Sequence, residues 1–229
     1  MVGRGHCRDG SALNMSKETS AGIGGNVIAG TILASVAYAI VRYHIAGNVP
    51  WNEFTLFILN KGLCLAAFIL LTFNFALGPG KNIGLPVPQS WLSARKAFGM
   101  TGFLLILIHA IISFMLFSPP YYGKFFGSDG TLTGVASLSM LAGILGFVFL
   151  WAYNLSFQTK LSEDIAFIEF LTSRRVLIWA LLLGGLHLAF MGFSGWLKPG
   201  DWHGGLPPIS LVAFAFFTVG YLLNFFGRE

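Results

Sequence analysis

Two histidines occupy matching positions in two separate apolar runs, and each run opens on a basic pair. Arg95-Lys96-Ala97-Phe98-Gly99 leads to His109, and Arg174-Arg175 leads to His187. The spacings are 14 residues from Arg95 to His109 and 13 from Arg174 to His187. At a helical rise of about 1.5 Å per residue, both imidazoles stand roughly 20 Å from their basic collars. Neutral imidazole ligates iron through one ring nitrogen, and the other nitrogen then needs an acceptor. Two imidazoles at one depth on two helices are the axial pair that a bis-histidine heme requires. With both axial positions filled, such a heme transfers electrons rather than activating oxygen. The plainer alternative is a pair of structural histidines, each bonded to a carbonyl of a neighbouring helix. An ionisable residue inside a membrane span is a functional candidate by default, and two at matched depth strengthen the ligand reading.

Six apolar runs supply the scaffold. The chain has 229 residues, of which 55% are hydrophobic and 10% charged, with a mean hydropathy of +0.73. Soluble domains carry about 25% charged residues, so the composition specifies an all-α integral membrane protein in contact with lipid. A span needs about 20 mostly apolar residues. The runs fall at about 24–44, 54–77, 97–117, 134–155, 175–195 and 208–226. Lipid offers no hydrogen bonds to the backbone, so each run is expected to be a helix. Between them lie Gly47-Asn48-Val49-Pro50, Gly78-Pro79-Gly80 through Pro88, Ser118-Pro119-Pro120 and Lys198-Pro199-Gly200 through Pro208, which read as helix-ending turns. The tract from Ser156 to Phe170 is more polar and reads as a short surface helix. The expected organisation is a polar tail over 1–23 and one six-helix domain over 24–227. The first apolar run is expected to be retained as a helix rather than cleaved as a signal.

Basic residues gather on the cytoplasmic side of membrane proteins. With both termini cytoplasmic, the inner side carries Arg4, Arg8, Lys17, Lys81, Arg95, Lys96, Lys160, Arg174, Arg175 and Arg228. The outer side carries Arg42, Lys124 and Lys198. That asymmetry sets the orientation and places the histidines in the outer half. Net charge is +5, but it sits in collars and loops, and nothing points to nucleic acid. Arg95, Lys96, Arg174 and Arg175 serve first as topology determinants; as cations they could also clamp a flavin pyrophosphate or an acidic redox partner. Lys61, within the second run, either snorkels to the outer interface or pairs with a heme propionate or with Glu53. His44, Arg42, Lys124, Lys198 and His203 form a sparse outer basic set suited to a carboxylate-bearing metal chelate. Asp201-Trp202-His203 contains metal-ligand types without defining a site. Trp51, Trp91, Trp196 and Trp202 fall near span ends, where interface anchors belong. Cys7 and Cys64 cannot build a disulfide framework, and His6 lies in the tail.

The segment Trp91-Leu92-Ser93-Ala94-Arg95-Lys96-Ala97-Phe98-Gly99, with Phe103, His109 and Ser113, resembles the third membrane helix of the STEAP metalloreductases. Asn60-Lys61 upstream, and Glu169-Phe170, His187 and Gly195-Trp196 downstream, extend the likeness over roughly residues 24–227. The wider group is the ferric-reductase-like transmembrane proteins, which include the NADPH oxidases. The resemblance implies six helices around one b-type heme held by His109 and His187. It also implies electron flow from a cytoplasmic flavin, FAD, to an outer ferric or cupric acceptor. STEAP proteins are trimers, so it implies a homo-oligomer. The two-heme members carry further histidines 13 or 14 residues along, whereas Arg95, Ser173, Gly123 and Asp201 stand at the positions 14 away here; one heme is implied. STEAP reductases also carry an NADPH-binding domain, and Gly22, Gly24 and Gly25 are not a dinucleotide fingerprint, since no strand precedes them. Electrons are therefore expected from a separate cytoplasmic reductase, a reduced flavin or a quinol. The family favours a Gln-Ser pair where this chain has Ser173-Arg174-Arg175, a departure at the flavin side.

Two other functions compete. One is the heme subunit of a two-component system that hands quinol electrons to a periplasmic reductase. The other is a heme-free transporter or scaffold that uses the histidines as a proton or metal relay; transporters usually show inverted repeats or paired broken helices, and neither is visible in the sequence. The expected location is a bacterial inner membrane.

Overall fold

A computed structural model describes residues 9–156 and 165–227, with side chains described from residue 22 onward. His6, Cys7, Arg4, Arg8, Lys17, Lys160 and Arg228, named above, lie outside these described side chains. Six helices are long and apolar enough to cross a membrane. We label them α1 (Asp9–Ala39), α2 (Leu59–Asn82), α3 (Gln89–Leu116), α4 (Gly134–Leu155), α5 (Arg174–Trp196) and α6 (Ile209–Phe226). Among the described residues the only extended pairing is an isolated bridge between Phe126 and Leu132. The protein is an all-α membrane bundle, as its hydropathy requires.

The α2 helix is the hub. Within its apolar span 56% of residues are buried, against 17–33% for the other five, and it packs on α1, α3 and α6. Small residues permit the close approach: a Cβ on Gly62 would stand 2.8 Å from the Val36 Cα of α1, and one on Gly102 of α3 would stand 2.8 Å from Leu71 Cγ. On the other side α5 packs along α4 and α6, while α3 and α5 share no extended packing. The two histidine-bearing helices thus do not pack along one another.

Helix ends differ from the sequence expectation at two places. Gly78-Pro79-Gly80 does not terminate α2, which runs on to Asn82 with Pro79 inside it. Proline deprives the carbonyl four residues earlier of its donor, here Phe75. Asn224 of α6 replaces the missing N–H, donating from Nδ2 to Phe75 O at 3.1 Å. A second departure is α3, which starts at Gln89 after the extended Pro88, so Arg95 and Lys96 lie inside it rather than ahead of it. At the opposite end, α1 continues as a wider turn over Ile40–Ile45, and α2 is preceded by another over Phe54–Ile58. The expected surface helix is present over Ile165–Thr172, the part of that tract lying within the described residues.

Candidate histidine site

His109 and His187 both lie nearer the end of the bundle opposite the termini. His109 is seven residues from the end of α3 and His187 nine from the end of α5. Each imidazole is held through its Nδ1. His109 Nδ1 donates to Asn60 Oδ1 at 2.8 Å, and Asn60 Nδ2 donates onward to Ser113 Oγ at 3.1 Å. Asn60 is fully buried, so the amide has no competing water and its orientation follows from these two bonds. His187 Nδ1 donates to the Ser139 carbonyl of α4 at 2.9 Å, and Ser139 Oγ donates to the His187 carbonyl at 3.2 Å. With Nδ1 carrying the proton in both rings, Nε2 of each is left with its lone pair. Gly143 makes room for the second ring, since a Cβ there would stand 2.7 Å from His187 Nδ1.

This donor set fits an axial pair. A ligating histidine donates its other N–H to a carbonyl or similar acceptor, which fixes the tautomer and raises the basicity of the ligating nitrogen. Sequence reading selected the two histidines but neither acceptor. Asn60 carries a signal in hindsight, being an amide inside an apolar run; Ser139 acts through its backbone and carries none. Among the described residues no three His, Cys, Asp or Glu side chains converge to hold an ion alone. A heme asks less of the chain, because the macrocycle supplies the other four ligands to iron.

Lys61 packs against two aromatic rings. Its Nζ stands 5.0 Å from the Tyr122 ring centroid and 5.4 Å from that of Phe57, within electrostatic reach of His109 and His187. Of the outer basic set, Arg42 is only 5% exposed. It donates from Nε to the carbonyls of Leu206 at 3.2 Å and Pro207 at 2.9 Å, so it secures the approach to α6 and is not available to a solvent chelate. His44 donates from Nδ1 to the Val49 carbonyl at 2.7 Å and lies against Trp51. Lys198 and His203 are exposed. Trp202 donates to the Gly195 carbonyl at 3.0 Å and Trp196 to Ser210 Oγ at 3.0 Å. Trp91 packs between Phe73 and Phe98. Phe103 stacks on Phe147 with centroids 5.6 Å apart, filling the space between α3 and α4 on the termini side of the histidines.

At the termini end the collar arginines act on backbone. Arg95 Nε donates to the Asn74 carbonyl of α2 at 3.0 Å, with its guanidinium against Gly78, where a Cβ would come within 2.6 Å of Nη1. Arg174 donates to the carbonyls of Asn224 at 3.2 Å and Phe225 at 2.6 Å. A cation there satisfies carbonyls that α6 leaves unpaired at its C-terminus. Lys96 and Arg175 are exposed on the same end.

Fold and site together define a class: a six-helix membrane bundle carrying two tautomer-fixed histidines on helices that do not pack along one another. No protein-family model matches the chain, and no curated protein matches it either.

Proposed function

We propose that this protein is a membrane cytochrome b of the ferric-reductase-like, STEAP-resembling kind. It moves single electrons from a donor at the face carrying the termini to an acceptor at the opposite face. The observation that supports it best is the matched anchoring of His109 and His187 through Nδ1, at 2.8 and 2.9 Å, on helices that do not pack along one another. A b-type heme bound there supplies a one-electron carrier whose iron is coordinatively filled. His109 and His187 would hold it, each with Nε2 left with its lone pair. Asn60 and the Ser139 carbonyl hold each ring in the ligating tautomer and orientation. Lys61 offers a cation beside the pair.

The termini face is cytoplasmic in this reading, as the basic collars argue, and the membrane is a bacterial inner membrane. The acceptor at the outer face is a ferric or cupric chelate. The donor is a separate cytoplasmic reductase, a reduced flavin such as FAD, or a quinol. Because Arg95 and Arg174 are engaged with helix carbonyls, a docking reductase or a quinol is favoured over a flavin clamped by those two guanidiniums. A heme subunit feeding a periplasmic reductase is the second reading that this favours.

The test is a visible spectrum of the purified protein, oxidised and dithionite-reduced, with heme quantified per chain. About one heme per chain with a sharp low-spin reduced spectrum is expected for bis-histidine ligation, lost in both His109→Ala and His187→Ala. Colourless protein from heme-replete cells overturns the proposal and leaves the histidines to a proton or metal relay.

A further inference from the structure

The segment joining α3 to α4 opens on a run dense in aromatic residues: Phe117, Tyr121, Tyr122, Phe125 and Phe126. Two of them are withdrawn from the surface, Tyr122 at 7% exposure and Phe125 at 4%. They stack on one another, with centroids 5.8 Å apart and rings 12° from parallel. Phe117 lies against both, at 6.0 and 6.4 Å. Leu116, Tyr122, Phe125 and Ala136 form an apolar cluster of their own, on which Ile112 and Met191 pack. Ile112 is three residues past His109 on α3, Met191 is four past His187 on α5, and Ala136 is three before Ser139 on α4. At a rise of about 1.5 Å per residue, the cluster covers the histidine pair roughly one turn further from the termini.

Four helices hold that pair: α3 and α5 carry the imidazoles, and α2 and α4 carry their acceptors. The aromatic segment is tied to each of the four. It is continuous with the end of α3. Lys61 of α2 donates to the Tyr122 hydroxyl and sets its ammonium 5.0 Å from the Tyr122 ring centroid. Lys124 donates to the Met191 carbonyl of α5 at 2.7 Å. Partial loss of solvation there, then repulsion from Lys61, lowers the pKa of Lys124 to about 8. Beyond Phe126 the chain doubles back, and the Thr133 N–H at the start of α4 donates to the Phe125 carbonyl at 2.8 Å. Segments with few buried contacts open readily; one tied to four helices over a packed aromatic cluster does not.

We propose that residues 117–126 are a fixed cap over the histidine pair, and that the acceptor at this face is reduced across the Tyr122–Phe125 layer without touching the cofactor. The second half rests on the function proposed above. The acceptor class follows: a ferric chelate that keeps its own ligands throughout. Its ferric ion gains one electron, the heme iron loses one, and no bond forms or breaks. Driving force and charge then select the acceptor; the ability to coordinate heme iron or to enter a cleft does not. The cap also keeps water from the iron, and a dry site favours the less charged ferrous state.

Limited trypsin digestion of the full-length protein in detergent reads the ties without heme, because the bond between Lys124 and Phe125 is cut from the opened cap. Lys61→Met and Tyr122→Phe each remove the bond between Lys61 and the Tyr122 hydroxyl. Each should speed that cut about tenfold, the usual effect of losing a charged hydrogen bond, while cleavage after Lys81 keeps the wild-type rate. Stopped-flow reoxidation of the reduced protein by ferric-EDTA, beside its midpoint potential, reads what the cap does. Phe125→Ala breaches the aromatic layer and keeps both lysines. It should be reoxidised several-fold faster, and its potential should shift negative, because water reaching the site favours the ferric state. Wild-type cutting after Lys124 in both tie variants overturns the cap, and so does a Phe125→Ala protein with wild-type reoxidation and potential. A wild type that takes up no heme overturns the underlying reading, while the digestion still decides whether the cap is fixed.

Discussion

At the residue scale, the two histidines differ in what anchors them, and that difference is measurable. His109 depends on a side chain, Asn60 Oδ1, whereas His187 depends on a backbone carbonyl. Asn60→Leu is expected to weaken heme binding about 10–100-fold, the usual effect of losing such a partner. It should also shift the midpoint potential positive, because a ring with no acceptor donates less charge to iron. Ser139→Ala keeps the carbonyl and should leave both quantities near wild type; equal losses in the two variants would contradict the geometry. Gly143→Ala should empty the site, since its methyl would meet the His187 ring at 2.7 Å, whereas Gly25→Ala, with nothing within 4 Å, should not. Heme per chain is the readout. Lys124, with a pKa of about 8, is half neutral near pH 8, while an ordinary lysine at about 10.4 is almost wholly protonated there. Only the neutral amine acylates, so Lys124 should be labelled readily at pH 8 and far less at pH 6, and peptide mass spectrometry after brief acylation checks it.

At the element scale, α2 and α6 are joined by a repair. Pro79 removes the donor for the Phe75 carbonyl, and Asn224 supplies another, also donating to the Gly220 carbonyl at 2.8 Å. Asn224→Leu leaves Phe75 O buried without its partner and should cost about 1–3 kcal/mol. Pro79→Ala restores a backbone N–H, so the double variant Pro79→Ala/Asn224→Leu should recover part of the loss. Thermal unfolding in detergent measures both, and an Asn224→Leu protein as stable as wild type would sink this account. The same end shows why arginine rather than lysine suits two of the collar positions. Arg174 reaches the carbonyls of both Asn224 and Phe225, a forked contact that a single ammonium serves poorly.

At the scale of the whole molecule, six spans bring both termini to one end. The loop between α2 and α3 lies at that end, and the segment between α3 and α4 lies at the other. If basic collars set the orientation, Ile83→Cys will react with an impermeant maleimide only in opened membranes, and Leu132→Cys will react in intact cells. Both side chains are exposed, at 47% and 38%. The reverse pattern would invert the proposed direction of electron flow. The architecture also separates two jobs. The α2 hub binds α1, α3 and α6 into one packed core, while polar anchors from α2 and α4 hold the imidazoles of α3 and α5. Rigid neighbours thus hold the two ring planes, the condition under which a small donor set can be precise.

The six spans, their helical state and the two candidate histidines were readable from composition and spacing alone. Lipid leaves a spanning chain few choices, because every backbone group must be satisfied within the segment. Rare ionisable residues stand out against so apolar a background. The end of α2 was misread because Gly-Pro-Gly breaks a helix in isolation; Asn224, 149 residues from Phe75, decides otherwise. The acceptors for the imidazoles were invisible for the same reason: Asn60 is 49 residues from His109, and Ser139 is 48 from His187. The approach of Lys61 to the stacked Tyr122–Phe125 pair is likewise a long-range event. Hydropathy is a property of each segment by itself, so sequence determined which segments cross the membrane. Hydrogen-bond partners belong to pairs of segments, so only the tertiary structure decided which nitrogen of each histidine is left to bind.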